Sequence, residues 1–203
     1  MCFPPSPVSD YDAHVLVRDP FDDADREAIQ QMYARLGSLP GGDDMDVWYV
    51  TVDEAAERSS PQTQLRPGFR DKSWALHRAH WHAGRFVVDR GPDPRTIVPE
   101  PTWDEIDESL QGELEFVEDH LGDAPAFSVL NLCRILYSYE NSDVVIGKFQ
   151  SALWAFGALP AESHALIRKA LDAYRTKDYA IDEDVRPFFE EMSGRIARAR
   201  AFA

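Results

Sequence analysis

The chain has 203 residues and carries 21 Lys and Arg against 36 Asp and Glu, a net charge of −15. That acid excess argues against duplex DNA or RNA as a partner, because phosphate binding needs a cationic surface; it suits divalent metal and cationic small molecules. A hydrophobic fraction of 44% with five Trp and eleven Phe fills a core and excludes a disordered chain. No apolar run approaches the ~20 residues of a membrane span. The start, Met1-Cys2-Phe3-Pro4-Pro5, has neither a basic n-region nor a continuous apolar h-region. Cys2 and Cys133 cannot make a disulfide framework, so the expected compartment is a reducing cytoplasm.

Up to about residue 98 the apolar runs are short and separated by Gly, Pro and Asp. His14 to Val17, following Ser9-Asp10-Tyr11-Asp12, reads as a strand. Ala24, Ala28, Met32 and Leu36 recur every four residues and predict an amphipathic helix over 22–36, stopped by Gly37 and Pro40-Gly41-Gly42. Val47 to Val52 is β-branched and aromatic, a buried strand. A helix over 73–83 and a short strand over Arg85–Val88 complete a β-α-β-α-β order, which predicts a small mixed sheet with helices over 1–98.

From 99 to 203 the pattern is helical throughout. Thr102-Trp103-Asp104-Glu105 is a capping box, in which hydroxyl and carboxylate satisfy orphan N–H groups reciprocally. Ile106, Leu110, Leu114, Val117 and Leu121 then form one apolar stripe, closed by Gly122. Further helices are expected near 125–140, 147–157, 161–176 and 182–200, with Pro160 and Pro187 near helix starts. The fold class is therefore α+β: an α/β module followed by an all-α bundle.

Three groups of residues could carry chemistry. Alternation along a strand puts Asp10 and Asp12 on one face, about 7 Å apart at the backbone. Two hard carboxylates so placed suit Mg²⁺, and a third, Asp46, opens a later strand where it could take a proton from a hydroxyl. Thirty-six acids also scatter such pairs onto solvated strand ends. On a helix, His77 and His80 are i,i+3 neighbours that either share a metal or simply pack. Lys148 stands just before an apolar helix, as an anion ligand or a solvated surface lysine.

The run Val129-Leu130-Asn131-Leu132-Cys133-Arg134-Ile135-Leu136-Tyr137, then Asp143-Val144-Val145, Lys148 before Trp154-Ala155, Leu159-Pro160, and Ala170 to Tyr174, resembles the C-terminal helical domain of the aminoglycoside 3″- and 9-adenylyltransferases, the streptomycin/spectinomycin nucleotidyltransferases. Ser9-Asp10-Tyr11-Asp12 and the following strand resemble the S-D-x-D of the nucleotidyltransferase fold, and Met45-Asp46-Val47 its later strand. The resemblance implies a partial nucleotidyltransferase-like domain over 1–98 and the helical adenylyltransferase domain over 99–203. It implies transfer of AMP from ATP to an aminoglycoside hydroxyl, hence antibiotic resistance. Asp10 and Asp12 would hold Mg²⁺, Asp46 would be the general base, and Arg134, Lys148 and Tyr174 would contact the nucleotide. The cationic drug would lie between the domains, its family acidic contact falling near Asp123 and Ala124. The fold's Gly-Ser pair, about ten residues before the D-x-D, would fall before Met1, so the alternative expectation is an impaired remnant that binds a ligand or partner.

Overall fold

The computed structural model describes residues 11–37, 45–176 and 179–203. Asp10, Cys2, the Pro-rich start and the Pro40-Gly41-Gly42 stop lie outside the described residues. The chain divides at Pro101/Thr102 into two units, each described by itself.

The first unit is built on two parallel strands, β1 (Tyr11–Val17) and β2 (Met45–Thr51), joined by helix α1 (Asp23–Leu36). Their register pairs Asp12 with Asp46, His14 with Trp48 and Leu16 with Val50. Because neighbours in a parallel register share a face, these three pairs line one side of the sheet. At its inner end Leu16 and Val50 pack with Ala55, Trp74, Trp81, Ile97 and Val98. Ala55 belongs to the single turn α2 (Val52–Ala55), and Trp74 and Trp81 to α3 (Trp74–His82).

Helix α1 starts at a capping box in which Asp22 and Asp25 satisfy each other's backbone N–H groups. Its inward face keeps Leu36 of the expected Ala24/Ala28/Met32/Leu36 stripe but not the other three, which are exposed. Met32 is 38% exposed, whereas Ile29 and Tyr33 are half-buried. The Tyr33 hydroxyl meets that of Tyr49 at 3.5 Å, so an aromatic with a polar tip, rather than the alanines, sets the helix rotation.

The expected third strand is absent. Residues 85–88 are irregular, and Val87 is 84% exposed. Gly84 takes a left-handed φ of +74° behind α3, and the Arg85 N–H turns back to the His80 carbonyl at 2.8 Å. The donor that would start a ladder is thus used to finish the helix. Among the described residues the sheet is two parallel strands rather than mixed.

The second unit is all helix: α4 (Trp103–Asp119), α5 (Pro125–Asn141), α6 (Lys148–Ala158), α7 (His164–Arg175) and α8 (Arg186–Arg200). The capping box at Thr102 and Glu105 forms. In α4, Ile106, Leu110 and Val117 are buried, with Leu121 just beyond. Helix α5 is the axis, packing against α4, α6, α7 and α8. A helix covered on all sides must be apolar on all sides, and Val129, Leu130, Leu132, Cys133, Ile135 and Leu136 are all at most 1% exposed. No described helix is long and apolar enough to cross a membrane.

Candidate functional site

The paired acids come from the outer end of the sheet. Asp12 and Asp46 stand opposite each other in the β1/β2 register, on neighbouring strands about 4.8 Å apart. Both are exposed. They lie on the face that carries His14 and Trp48 and then, further in, the apolar core. This gradient along two short strands leaves the carboxylates at the solvent edge of a rigid element. Asp12 offers a hard oxygen donor to a Mg²⁺ ion, which is reluctant to shed all its waters and takes one or two carboxylates, and Asp46 across the register is left to accept a proton. Asp10, the other member of the expected pair, falls outside the described residues. Nearby, burial, the Tyr49 hydroxyl and the Asp46 charge all hold the Tyr33 phenol above its ordinary range.

In the helical unit Lys148 and Tyr174 are brought together. Lys148 is the first residue of α6, after the N-cap Gly147. Its Nζ lies 4.7 Å from the ring centre of Phe127 on α5 and 5.8 Å from that of Tyr174 on α7. Two aromatic faces therefore flank one ammonium beside N–H groups that begin a helix, a setting suited to an anion with an attached planar group. Phe127 was not singled out in the sequence, though it lies two residues before the Val129 run and so near the Arg134 face.

Arg134 is engaged differently. Its guanidinium donates to Glu113 of α4 at 2.7 Å, and the Asn131 amide donates to the same Glu113 oxygen at 2.9 Å. Asn131 and Arg134 are i,i+3 neighbours on α5, so one carboxylate gathers both. Other residues of the recognised stretch are structural. Tyr137 donates to Asp143 at 3.2 Å and packs edge-on against Trp154, which ties the α5–α6 turn to both helices. Asp123, where the family's drug contact was expected, is exposed in the turn before α5. Burial pushes the Cys133 thiol up to about 12, which removes it as a nucleophile.

The histidine pair is also rearranged. Within the described residues His77 joins His14 of β1 and Asp71, not His80, in a three-residue group whose ligand atoms all lie within 4.8 Å of one another. His14 and Asp71 carried no sequence signal, because their approach depends on how α3 packs on the sheet.

Residues 97–197 match the family model "Aminoglycoside adenylyltransferase, C-terminal domain". The fold is similar to that of the spectinomycin adenyltransferase AAD(9) from Enterococcus faecialis, solved with ATP and spectinomycin. The TM-score is 0.73 at 16% identity, over 95% of this chain and 87% of that one. Among curated protein sequences none matches.

Proposed function

Since the chain belongs, through residues 97–197, to the aminoglycoside adenylyltransferase C-terminal domain family, we propose that it is a nucleotidyltransferase that moves AMP from ATP to a hydroxyl of an aminoglycoside of the streptomycin/spectinomycin class. The observation that carries this reading is the in-register pairing of Asp12 and Asp46 on one face of the β1/β2 sheet. The similar AAD(9) fold, solved with ATP and spectinomycin, supports the choice of co-substrate and drug class.

In this reading Asp46 accepts the proton of the attacking hydroxyl, whose oxygen bonds to the α-phosphorus while pyrophosphate leaves. Asp46 suits the role because a general base must reach the substrate, and this one is exposed at the strand start. Asp12, together with Asp10, would hold Mg²⁺. When bound, that ion offsets the charge of the triphosphate. Lys148 adds a fixed positive charge at the start of α6, and the Phe127 and Tyr174 rings hold its ammonium in place for the nucleotide. Arg134, fixed by Glu113, presents its remaining N–H groups to the same ligand. Positioning and electrostatics supply most of the acceleration in transfers of this kind.

The test is incubation of the purified chain with ATP, Mg²⁺ and either spectinomycin or streptomycin, with AMP-drug adduct and pyrophosphate measured together. Adduct from wild type and none from Asp46→Asn supports the reading. Drug binding by calorimetry without any turnover points instead to an impaired ligand-binding remnant of the family. No binding of either drug or ATP overturns both.

A further inference from the structure

We propose that His14, Asp71 and His77 form a binding site for one divalent transition-metal ion of the zinc class, separate from the Asp12/Asp46 pair and independent of the adenylyl-transfer reading. The His77 Nε2 lies 3.6 Å and the His14 Nε2 3.8 Å from the same oxygen, Asp71 Oδ2. Both separations exceed a hydrogen bond, so neither imidazole shares a proton with the carboxylate in this geometry. They are close to the spacing between ligands of a four-coordinate ion, about 3.4 Å for bonds of about 2.0–2.1 Å. The two imidazole–carboxylate separations need contract by only a few tenths of an ångström, and the two imidazole nitrogens, within 4.8 Å of each other, draw together on the same ion.

The burial of these atoms is what demands an explanation. The Asp71 side chain is 3% exposed and that of His14 8%. Neither Asp71 Oδ2 nor His14 Nε2 meets a hydrogen-bond partner among the described residues. A carboxylate oxygen withdrawn from water without a donor is unfavourable, even where its twin is bonded. A cation shared with two imidazoles removes that penalty. The carboxylate is also aimed: its other oxygen accepts from the Ser73 N–H at 2.9 Å, and the Asp71 N–H is bound to the Pro61 carbonyl at 3.1 Å. Outer contacts of this sort orient a metal ligand. The His14 ring is wedged between the Trp81 ring at 4.9 Å and the Trp74 ring at 5.9 Å, and meets His77 edge-on at 4.6 Å. His77, at 30% exposure, is the side from which an ion can arrive.

Donor type separates this group from the acidic pair. Two imidazoles and one carboxylate favour zinc and its neighbours, whereas carboxylates alone favour magnesium. The three ligands come from β1, the turn before α3, and α3 itself, so a bound ion clamps the helix onto the sheet face. They leave at least one coordination position for water.

Tag-free full-length protein, stripped with chelator, is titrated with Zn²⁺ and, separately, with Co²⁺ as a visible probe. One equivalent should bind, with Co²⁺ d–d absorption that Zn²⁺ abolishes and excess Mg²⁺ does not. X-ray absorption at the zinc edge of the wild type should report nitrogen and oxygen donors with no sulfur, a readout that needs no variant. His77→Gln, on the accessible side, should lose the Co²⁺ band and at least about tenfold in Zn²⁺ affinity while circular dichroism stays native. His80→Gln should retain both. Failure of the wild type to bind Zn²⁺, displacement by Mg²⁺, sulfur in the absorption spectrum, or unchanged binding in a folded His77→Gln protein overturns the proposal.

Discussion

In the helical unit, polar groups that enter the core close on the unit's own atoms. Ser128, Ser138 and Ser151 are each about fully buried, and their hydroxyls donate to carbonyls three or four residues back along the same helix. The Asn131 amide finds Glu113, and Tyr139 joins Gln111, Asp107 and Arg200 in one chain of bonds. The Asn131 oxygen and the Ser193 hydroxyl are the exceptions among the described residues. In the N-terminal unit the buried Asp71 Oδ2 and His14 Nε2 face each other across a gap instead. Helices bring backbone acceptors to a buried hydroxyl within one turn. A two-stranded sheet capped by one short helix cannot surround a carboxylate so readily. The lesson is that the helical unit satisfies most of its buried polar groups from its own helices, whereas the sheet unit leaves a buried carboxylate oxygen and an imidazole nitrogen facing each other.

That contrast is open to direct attack. The largest effect expected is on reactivity. In a Cys2→Ser background, Cys133 should react with a neutral disulfide reagent about a thousandfold more slowly than a free thiol, because a pKa of about 12 leaves so little thiolate at neutral pH. Rapid labelling of folded protein would show that the helical core opens. Next, Asp46→Asn should lower adenylyl transfer by about 10²–10⁴-fold, while its free energy of unfolding changes by less than about 0.5 kcal/mol because the residue is exposed. A large loss of stability there would erase the distinction between the units.

Leu136→Ala, at the centre of α5, should cost about 2–5 kcal/mol in denaturant unfolding, since a fully buried side chain is removed from a close-packed axis. The smallest effect is expected at Asp107. Arg200 donates two bonds to it, and Tyr139 a third, which hold its carboxyl below the ordinary range. Asp107→Asn should cost about 1–2 kcal/mol at neutral pH, discounted for the partly exposed Arg200. Because the folded-state value is depressed, this contribution is complete above the unfolded carboxyl value of about 3.9 and disappears as pH falls through the folded one. Unfolding curves of the two proteins should therefore converge in acid. A difference that persists at low pH would assign the loss to packing instead.

Much of the architecture was legible along the chain because its signals are local. The Thr102 capping box, the Ile106–Leu121 stripe and the apolar α5 run each depend on residues within a turn or two of one another. The recognised stretch from Val129 to Tyr174 was legible for a similar reason, since its aromatic and acidic members hold adjoining helices together. Register between strands was not, because it is decided by partners far apart in sequence. Arg85–Val88 has the composition of a strand, yet the backbone donor at Arg85 is taken by the helix before it. The rotation of α1 follows Tyr33, which keeps its hydroxyl against that of Tyr49, and the four-residue spacing of small side chains carries too little burial to set it.

The sequence by itself determined an α+β chain with a helical second half, the acids Asp12 and Asp46 at strand starts, and the helical residues Arg134, Lys148 and Tyr174. Tertiary structure decided which of these meet. It set Asp12 against Asp46, gave Arg134 to Glu113, placed Lys148 beside Phe127 and Tyr174, and drew His14, Asp71 and His77 together. The physical reason is range. Helix signals act over one or two turns, whereas a ligand site is assembled by packing between elements dozens of residues apart.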